Sequence, residues 1–306
     1  MARFSVIVPV FNGASFIREA IESVFSQTIQ DFEIIVVDDG STDQSKEIVE
    51  RMNVAVKYLY QSNNGAAAAR NKGVEVSQGE YIAFLDQDDR WYPSKLEMQW
   101  RMLEANSESE IVYAEMDVID ANGSVIAKSY LQNGAAQWSA LFAMAIPKFP
   151  NPFPYPSTVM MPRSTFEKYG MYDPIFRRNN CEDIELWARI VKAGGRFVFC
   201  KEPLAQYRLH AQQGGKNEEM WRQNWSVLME RLLWLYRDDS EVKKALAQLS
   251  RRYLRSKARS CSREGEELIR SGDLQRGREL LKWAFKYRPL YCKNLFRFFN
   301  SYIVRR

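Results

Sequence analysis

Phe4-Ser5-Val6-Ile7-Val8-Pro9-Val10 is an almost unbroken apolar run near the start of the chain, and a helical pattern over residues 14–26 follows it. A second run over 33–37, a second helical pattern over 43–52 and a third run over 55–60 repeat the alternation. Short apolar runs separated by amphipathic stretches predict βαβ units, hence a parallel sheet with helices on both faces. Ser41-Thr42-Asp43-Gln44 reads as a capping box at the second helix, and Pro93 after Trp91-Tyr92 suits the first turn of another. In such sheets functional loops gather at the carboxyl ends of strands. That rule brings Pro9-Val10-Phe11-Asn12, Asp38-Asp39-Gly40-Ser41 and residues 86–89 to one crevice.

The third of these segments carries an electrostatic cost. Tyr81-Ile82-Ala83-Phe84-Leu85 reads as a buried strand and ends in Asp86, Asp88 and Asp89. Clustered carboxylates at a buried end need a cation or many donors. His210 is the single histidine, and the four cysteines, Cys181, Cys200, Cys261 and Cys292, have no C-x-x-C spacing, which argues against zinc and iron–sulfur sites. Oxygen ligands favour Mg²⁺ or Mn²⁺. Asp86 and Asp88 are two apart, so an extended segment would turn both to one side and anchor an ion that also grips phosphate. A surface acidic turn is the plainer alternative.

Other candidates are each open to two readings. Asp38 or Asp39 can accept bonds from a base or ribose, or cap the helix that follows. Asn63-Asn64-Gly65 and the four alanines 66–69 feed a small-residue helix, in which Arg70 can reach a phosphate or hold a crevice carboxylate. Glu182 and Asp183 open a periodic helix, where the dipole keeps a carboxylate ionised as a general base requires; a simple cap fits the same position. His210 follows an apparent strand over 204–209 and precedes Gly214-Gly215, from which it can swing to a metal or diphosphate or stay structural. Residues 147–156 hold five prolines and two phenylalanines, a stiff loop without regular structure.

The 306 residues suffice for one large domain and an appendage. Residues 1–215 carry 21 Lys and Arg against 27 Asp and Glu, whereas 216–306 carry 22 against 11, so a net charge of +5 conceals an acidic first part and a basic second part. The expected domains are therefore 1–215 and a basic helical region, 216–306. The scattered cysteines and a first apolar run too short for a signal peptide or membrane span lead to the expectation of a cytoplasmic protein.

Taken together, Ser5 to Asn12, Val36-Val37-Asp38-Asp39-Gly40-Ser41-Thr42-Asp43, Asn64-Gly65 with Ala69-Arg70-Asn71, residues 81–89 and Glu182-Asp183 resemble the family 2 glycosyltransferases over about residues 3–212. The resemblance implies a GT-A fold, an α/β Rossmann-like, mostly parallel sheet flanked by helices, here with an α-helical C-terminal extension. It also implies transfer of a hexosyl-type sugar from a nucleotide sugar, usually a UDP-sugar, to a hydroxyl of a glycan or lipid-linked saccharide, with inversion. Carried over by motif, Pro9, Val10, Asn12, Asp39, Arg70, Asp86 and Gln87 would border the nucleotide sugar. Asp88 would contact Mn²⁺ or Mg²⁺, with His210 assisting, and Asp183 would be the base. The Gln-x-x-Arg-Trp motif of processive synthases is not matched by Gln99-Trp100-Arg101, so a single-addition enzyme is expected.

Beyond residue 216 Trp221, Trp225, Leu228, Leu232 and Leu235 form one apolar stripe, and Leu268, Leu274, Leu280-Leu281 and Ala284 another. Residues 266–289 weakly resemble a tetratricopeptide unit. The basic, aromatic stretch 290–306 suits the inner face of an anionic membrane, or packing on the catalytic domain or on a second subunit in a homo-oligomer. No nucleic-acid recognition motif is present. Two rival functions fit less well. A phosphatase with Asp-x-Asp would place its nucleophile after the first strand, where Pro9-Val10-Phe11-Asn12 stands, and a non-catalytic scaffold has no chemical need for Asp39, Asp88 and Asp183 together.

Overall fold

The computed structural model describes residues 2–106, 108–135, 137–176, 181–211, 213 and 218–287. The first half is the expected βαβ array. Strand β1 (Phe4–Val10) is buried along its whole length and pairs in parallel with β2 (Phe32–Asp38) and β4 (Tyr81–Phe84), while β3 (Val56–Tyr60) extends the sheet beyond β2. Helices α1 (Ile17–Phe25), α2 (Ser45–Arg51) and α3 (Ala66–Val76) make the crossovers. Ile17, Ala20, Ile21 and Val24 supply the buried stripe of α1 at the spacing a packed helix requires.

Two local features let this array close. Pro9 lies inside the central strand without breaking a ladder, because Leu85 N–H bonds to Ile7 O and odd-numbered residues of β1 therefore face β4, whose register ends at Ile7 and Phe84. Helix α3 seats tightly on β1: Ala67 and Ala69 are buried, and a Cβ on Gly73 would collide with the side chain of Ile7. The alanine run thus serves close helix-to-sheet packing and sets the depth at which Arg70 sits.

The second half departs from a mostly parallel sheet. The strand order is β3-β2-β1-β4-β8-β6-β9-β5, with β7 (Val125–Ala127) added to β6 (Ile111–Ile119). Strand β8 (Val159–Pro162) runs antiparallel to both β4 and β6, β5 (Arg90–Trp91) runs antiparallel to β9 (Phe197–Arg208), and only β6 with β9 is parallel. A mixed sheet results. The residues that reverse it lie in strands of two and four residues, too short to show a period.

Helices α4 (Lys95–Ala105), α5 (Gln137–Ala145), α6 (Ser164–Tyr169) and α7 (Glu182–Lys192) cover the second half. The chain divides into two compact units, Met1–Asp238 and Asp239–Arg306. The first unit includes α8 (Glu218–Leu235), whose Trp225 lies 6.0 Å from Phe142 and which is followed by Tyr236, whose hydroxyl donates to Ala188 O at 3.1 Å. The compact unit therefore runs past the Gly214-Gly215 pair. In the second unit α9 (Ser240–Arg270) is capped by the Asp239 carboxylate, which accepts from Val242 N–H at 3.0 Å. Gly272, at φ +95°, turns the chain into α10 (Leu274–Tyr287), and the two helices approach at Gly265 and Gly277, where neither Cβ would have room. Residues 290–306, expected to meet a membrane or a partner, lie outside the described residues.

Candidate active site

Three loops meet at the carboxyl ends of β1, β2 and β4, and backbone-directed bonds hold them together. Phe11 N–H donates to Gln87 Oε1 at 2.8 Å, and Gln87 Nε2 returns a bond to Phe11 O at 3.1 Å. Gly13 is required beside this amide, since a Cβ there would stand 2.5 Å from Gln87 Oε1. Asn12, held at φ 51°, accepts from Thr42 N–H at 2.9 Å, and its own N–H donates to Ser41 Oγ at 2.9 Å. The expected capping box at Ser41 to Gln44 does not form. Instead Asp43 accepts from Ser45 N–H at 3.0 Å and, across the crevice, from Ala14 N–H at 2.9 Å. One carboxylate thus ties the starts of two helices, which a local sequence pattern does not reveal.

Asp38, the last residue of β2, and Asp39 after it are both buried and bonded, and neither caps α2. Asp38 accepts from Ser41 N–H at 2.7 Å and from the Tyr58 hydroxyl. Asp39 accepts from Gln61 Nε2 at 2.7 Å, Asn64 N–H at 2.8 Å and Gly65 N–H at 2.7 Å. A carboxylate offers about four lone-pair sites, so these three bonds do not exhaust Asp39 as an acceptor.

The acidic segment is a turn, not an extended run: Asp89 N–H bonds to Asp86 O at 3.0 Å. Its carboxylates take different partners. Asp86 accepts from Arg70 Nη2 at 2.7 Å, while Asp88 Oδ2 stands 2.8 Å from His210 Nε2. Asp89 is buried as a brace, accepting from Ser157 Oγ at 2.6 Å and from Arg208 N–H at 3.0 Å. Burial raises the Asp89 carboxyl well above the usual range, with Asp88 and Asp86 adding to it. Burial also raises Asp86, against the opposing pull of Arg70.

Arg70 is spent on carboxylates of the protein. Its Nη1 donates to Glu182 Oε1 at 2.7 Å, so one buried guanidinium joins the Asp86 turn to the first turn of α7. Cys181, in the left-handed region at φ 80°, starts that helix. The adjacent Asp183 is half-buried, with its Oδ1 on Ile184 N–H at 2.8 Å. The helix dipole was expected to keep Asp183 ionised. Burial and the neighbouring Glu182 outweigh it and push the carboxyl up to about 8, with Arg70 pulling the other way.

The donor set at the turn suits a hard divalent cation. Asp88 Oδ2 and His210 Nε2, joined here by a 2.8 Å hydrogen bond, are the two side-chain atoms that would hold it. Among the described residues no group of three or more His, Cys, Asp or Glu side chains is arranged so that it could hold a metal ion by itself. The remaining positions would fall to substrate phosphate and water, the usual Mg²⁺ arrangement.

Arg208 and Ser157 escaped sequence reasoning. Arg208 is fully buried; it donates through Nε to Asp88 O at 2.8 Å and through Nη2 to Glu19 Oε2 at 2.8 Å, fixing the turn from below. The only signal was an arginine inside an apolar strand next to His210. Ser157 lies at the end of the proline-rich loop and donates to Asp89 while accepting from Asp86 N–H at 3.1 Å, a double role that composition does not encode.

The family model described as Glycosyl transferase family 2 matches residues 5–170. The uncharacterized glycosyltransferase RP339 of Rickettsia prowazekii is 31% identical over 235 residues, covering 74% of this chain and 72% of the relative. TuaG of Bacillus subtilis, whose name places it in teichuronic acid biosynthesis, is 31% identical over 237 residues, covering 74% of this chain and 87% of the relative. Among solved structures, S. aureus TarS 1–349 superposes with a TM-score of 0.60 at 20% identity, over 99% of this chain and 89% of that one. TarS 1–349 in complex with UDP-GlcNAc gives 0.61 at 18% identity, over the same 99% and 89%. These structures share the fold.

Proposed function

From the premise that the chain belongs to glycosyl transferase family 2 and is a glycosyltransferase, we propose that it moves a sugar from a UDP-sugar to a hydroxyl of a glycan or lipid-linked saccharide, with inversion. One observation carries the reading. Arg70 ties the turn bearing Asp88 to the helix bearing Asp183 by two 2.7 Å contacts, so a phosphate-binding group and a base stand at a fixed spacing. The UDP and UDP-GlcNAc complexes of TarS support the choice of nucleotide.

In this reading the donor base lies along the β1 and β2 loops, bordered by Pro9, Val10 and Asn12, and donates to Asp39. The acceptor hydroxyl attacks the anomeric carbon as its proton passes to the Asp183 carboxylate. The bond from that carbon to the diphosphate oxygen breaks in the same displacement, and its electron pair leaves with the UDP. Attack from the face opposite the leaving group inverts the carbon. A carboxyl at about 8 suits the task, because a base whose pKa lies near the working pH is both available and strong enough. Mn²⁺ or Mg²⁺ held by Asp88 and His210 would offset the charge collecting on the diphosphate. Asp86 and Gln87 position this turn, Asp86 through Arg70 and Gln87 through Phe11.

Calorimetry of UDP binding with and without Mn²⁺, on the wild type and on Asp88→Ala, tests the reading. Metal-dependent binding lost in the variant is the expected result. Absence of UDP binding to the wild type, or a variant with its full metal dependence, rejects the donor site as drawn.

A further inference from the structure

Three half-buried tyrosines stand between the two sides of the site, and none is used by the groups described above. Tyr155 follows Pro154, whose carbonyl accepts from Trp187 Nε1 of α7 at 3.0 Å, and lies two positions before Ser157, which holds Asp86 and Asp89. The backbone on either side of Tyr155 is thus tied to the helix of Asp183 and to the acidic turn. Tyr207 adjoins Arg208, whose N–H reaches Asp89. Tyr130 enters the π-helical turn Leu131–Ala135. The rings form one cluster on the edge of the core: Tyr155 and Tyr207 have centroids 5.7 Å apart at 44°, Tyr130 and Tyr207 6.4 Å apart at 20°, and Phe153 meets Tyr155 edge-on at 5.2 Å.

Their hydroxyls, like that of the buried Tyr172, differ from those of four other tyrosines. Tyr58, Tyr81, Tyr92 and Tyr169 each direct the hydroxyl to a carboxylate, of Asp38, Glu104, Asp117 and Glu110 respectively. Among the described residues the hydroxyls of Tyr130, Tyr155 and Tyr207 make no hydrogen bond. Burial raises the Tyr155 and Tyr207 phenols, with Asp183 adding to the first and Asp89, Asp88 and Asp86 to the second, so both stay protonated. Each phenol can therefore donate and accept at once. Flat apolar rings edged with groups that both donate and accept complement a pyranose, which has a C–H face and a rim of hydroxyls of the same dual character. A flexible polyol or a lipid alcohol has no rigid face to lay on such a surface.

We propose that Tyr130, Tyr155 and Tyr207 form the acceptor subsite, and that the acceptor presents a pyranose ring there with its attacking hydroxyl turned to Asp183. This rests on the transferase reading of Asp183. It assigns the place of the acceptor's sugar ring and makes the tyrosines its specificity determinants.

Saturation-transfer difference spectra of the full chain test it, with UDP and diamagnetic Mg²⁺ present and, as probes, the methyl pyranosides of glucose, galactose, mannose and N-acetylglucosamine beside ribitol and octanol. At least one pyranoside should be saturated in preference to ribitol and octanol. Tyr155→Phe and Tyr207→Phe keep the stack and should weaken that pyranoside about fivefold each, the worth of one neutral hydrogen bond. Tyr207→Leu should abolish it, and UDP signals should stay constant in all three. Pyranoside binding unchanged in the variants, or ribitol or octanol bound in place of every pyranoside, overturns the subsite. Missing UDP signals on the wild type would instead count against the donor reading, and the pyranoside arm is read equally without UDP.

Discussion

Arg70 Nη1 lies 2.7 Å from Glu182 Oε1, across 112 positions of sequence, and both side chains are buried. The same guanidinium holds Asp86. Because Glu182 precedes the candidate base, the pair sets the charge that Asp183 experiences as well as its position.

Glu182→Gln should therefore move the pH profile. Glu182 raises the Asp183 carboxyl, so its removal, with Arg70 left less compensated, shifts the rise in kcat/KM to lower pH than in the wild type. Breaking a buried pair costs roughly 3–5 kcal/mol, so Tm should fall as well. A pH–rate profile that does not move would show that Glu182 does not act on Asp183.

In the wild type, turnover should climb as pH rises through about 8, since Asp183 is protonated below that point and cannot accept a proton. Asp183→Asn should lose roughly 10²–10⁴ in kcat while keeping UDP binding. The stability effect has the opposite sign. A carboxyl raised in the folded state binds more protons than it does unfolded, so its stabilising contribution is present at low pH and is lost as pH rises through about 8. The Asn variant should match or exceed the wild-type Tm at pH 9, measured by calorimetry.

His210→Ala leaves Asp88 without its 2.8 Å neighbour and should lower Mn²⁺ affinity about 10- to 100-fold, read by Mn²⁺ titration in the presence of UDP. Equal Mn²⁺ affinity in both proteins would take His210 out of the metal site.

Gly73→Ala tests the seat of Arg70. The new methyl runs into Ile7, so α3 must lift from β1 at a cost of roughly 1–3 kcal/mol, seen in urea unfolding. Activity should drop beyond the loss of folded protein, because Arg70 moves with the helix. A fully active, equally stable variant would mean that the helix has more freedom than this packing allows.

Much of the architecture and chemistry could be read from the chain. Apolar runs at 4–10 and 33–37 and the helical period between them specify a βαβ array, because burial of one face imposes a period on the residues that form it. The same rule places Asn12, Asp39 and Asp88 at strand ends. What the chain by itself determined is which chemical groups come to the crevice: carboxylates, one histidine and an arginine on a small-residue helix.

Only the tertiary structure decided how those groups are spent. Asp86 and Asp88 take different partners in a turn, braced by Ser157 and Arg208, that replaces an extended segment. Arg70 goes to Asp86 and Glu182 because packing of α3 on β1 buries it between them. Asp183 sits near 8 because burial and Glu182 exceed the dipole of its helix. Desolvation and charge pairing depend on distances between residues far apart in the chain, and those distances exist only once the sheet has closed.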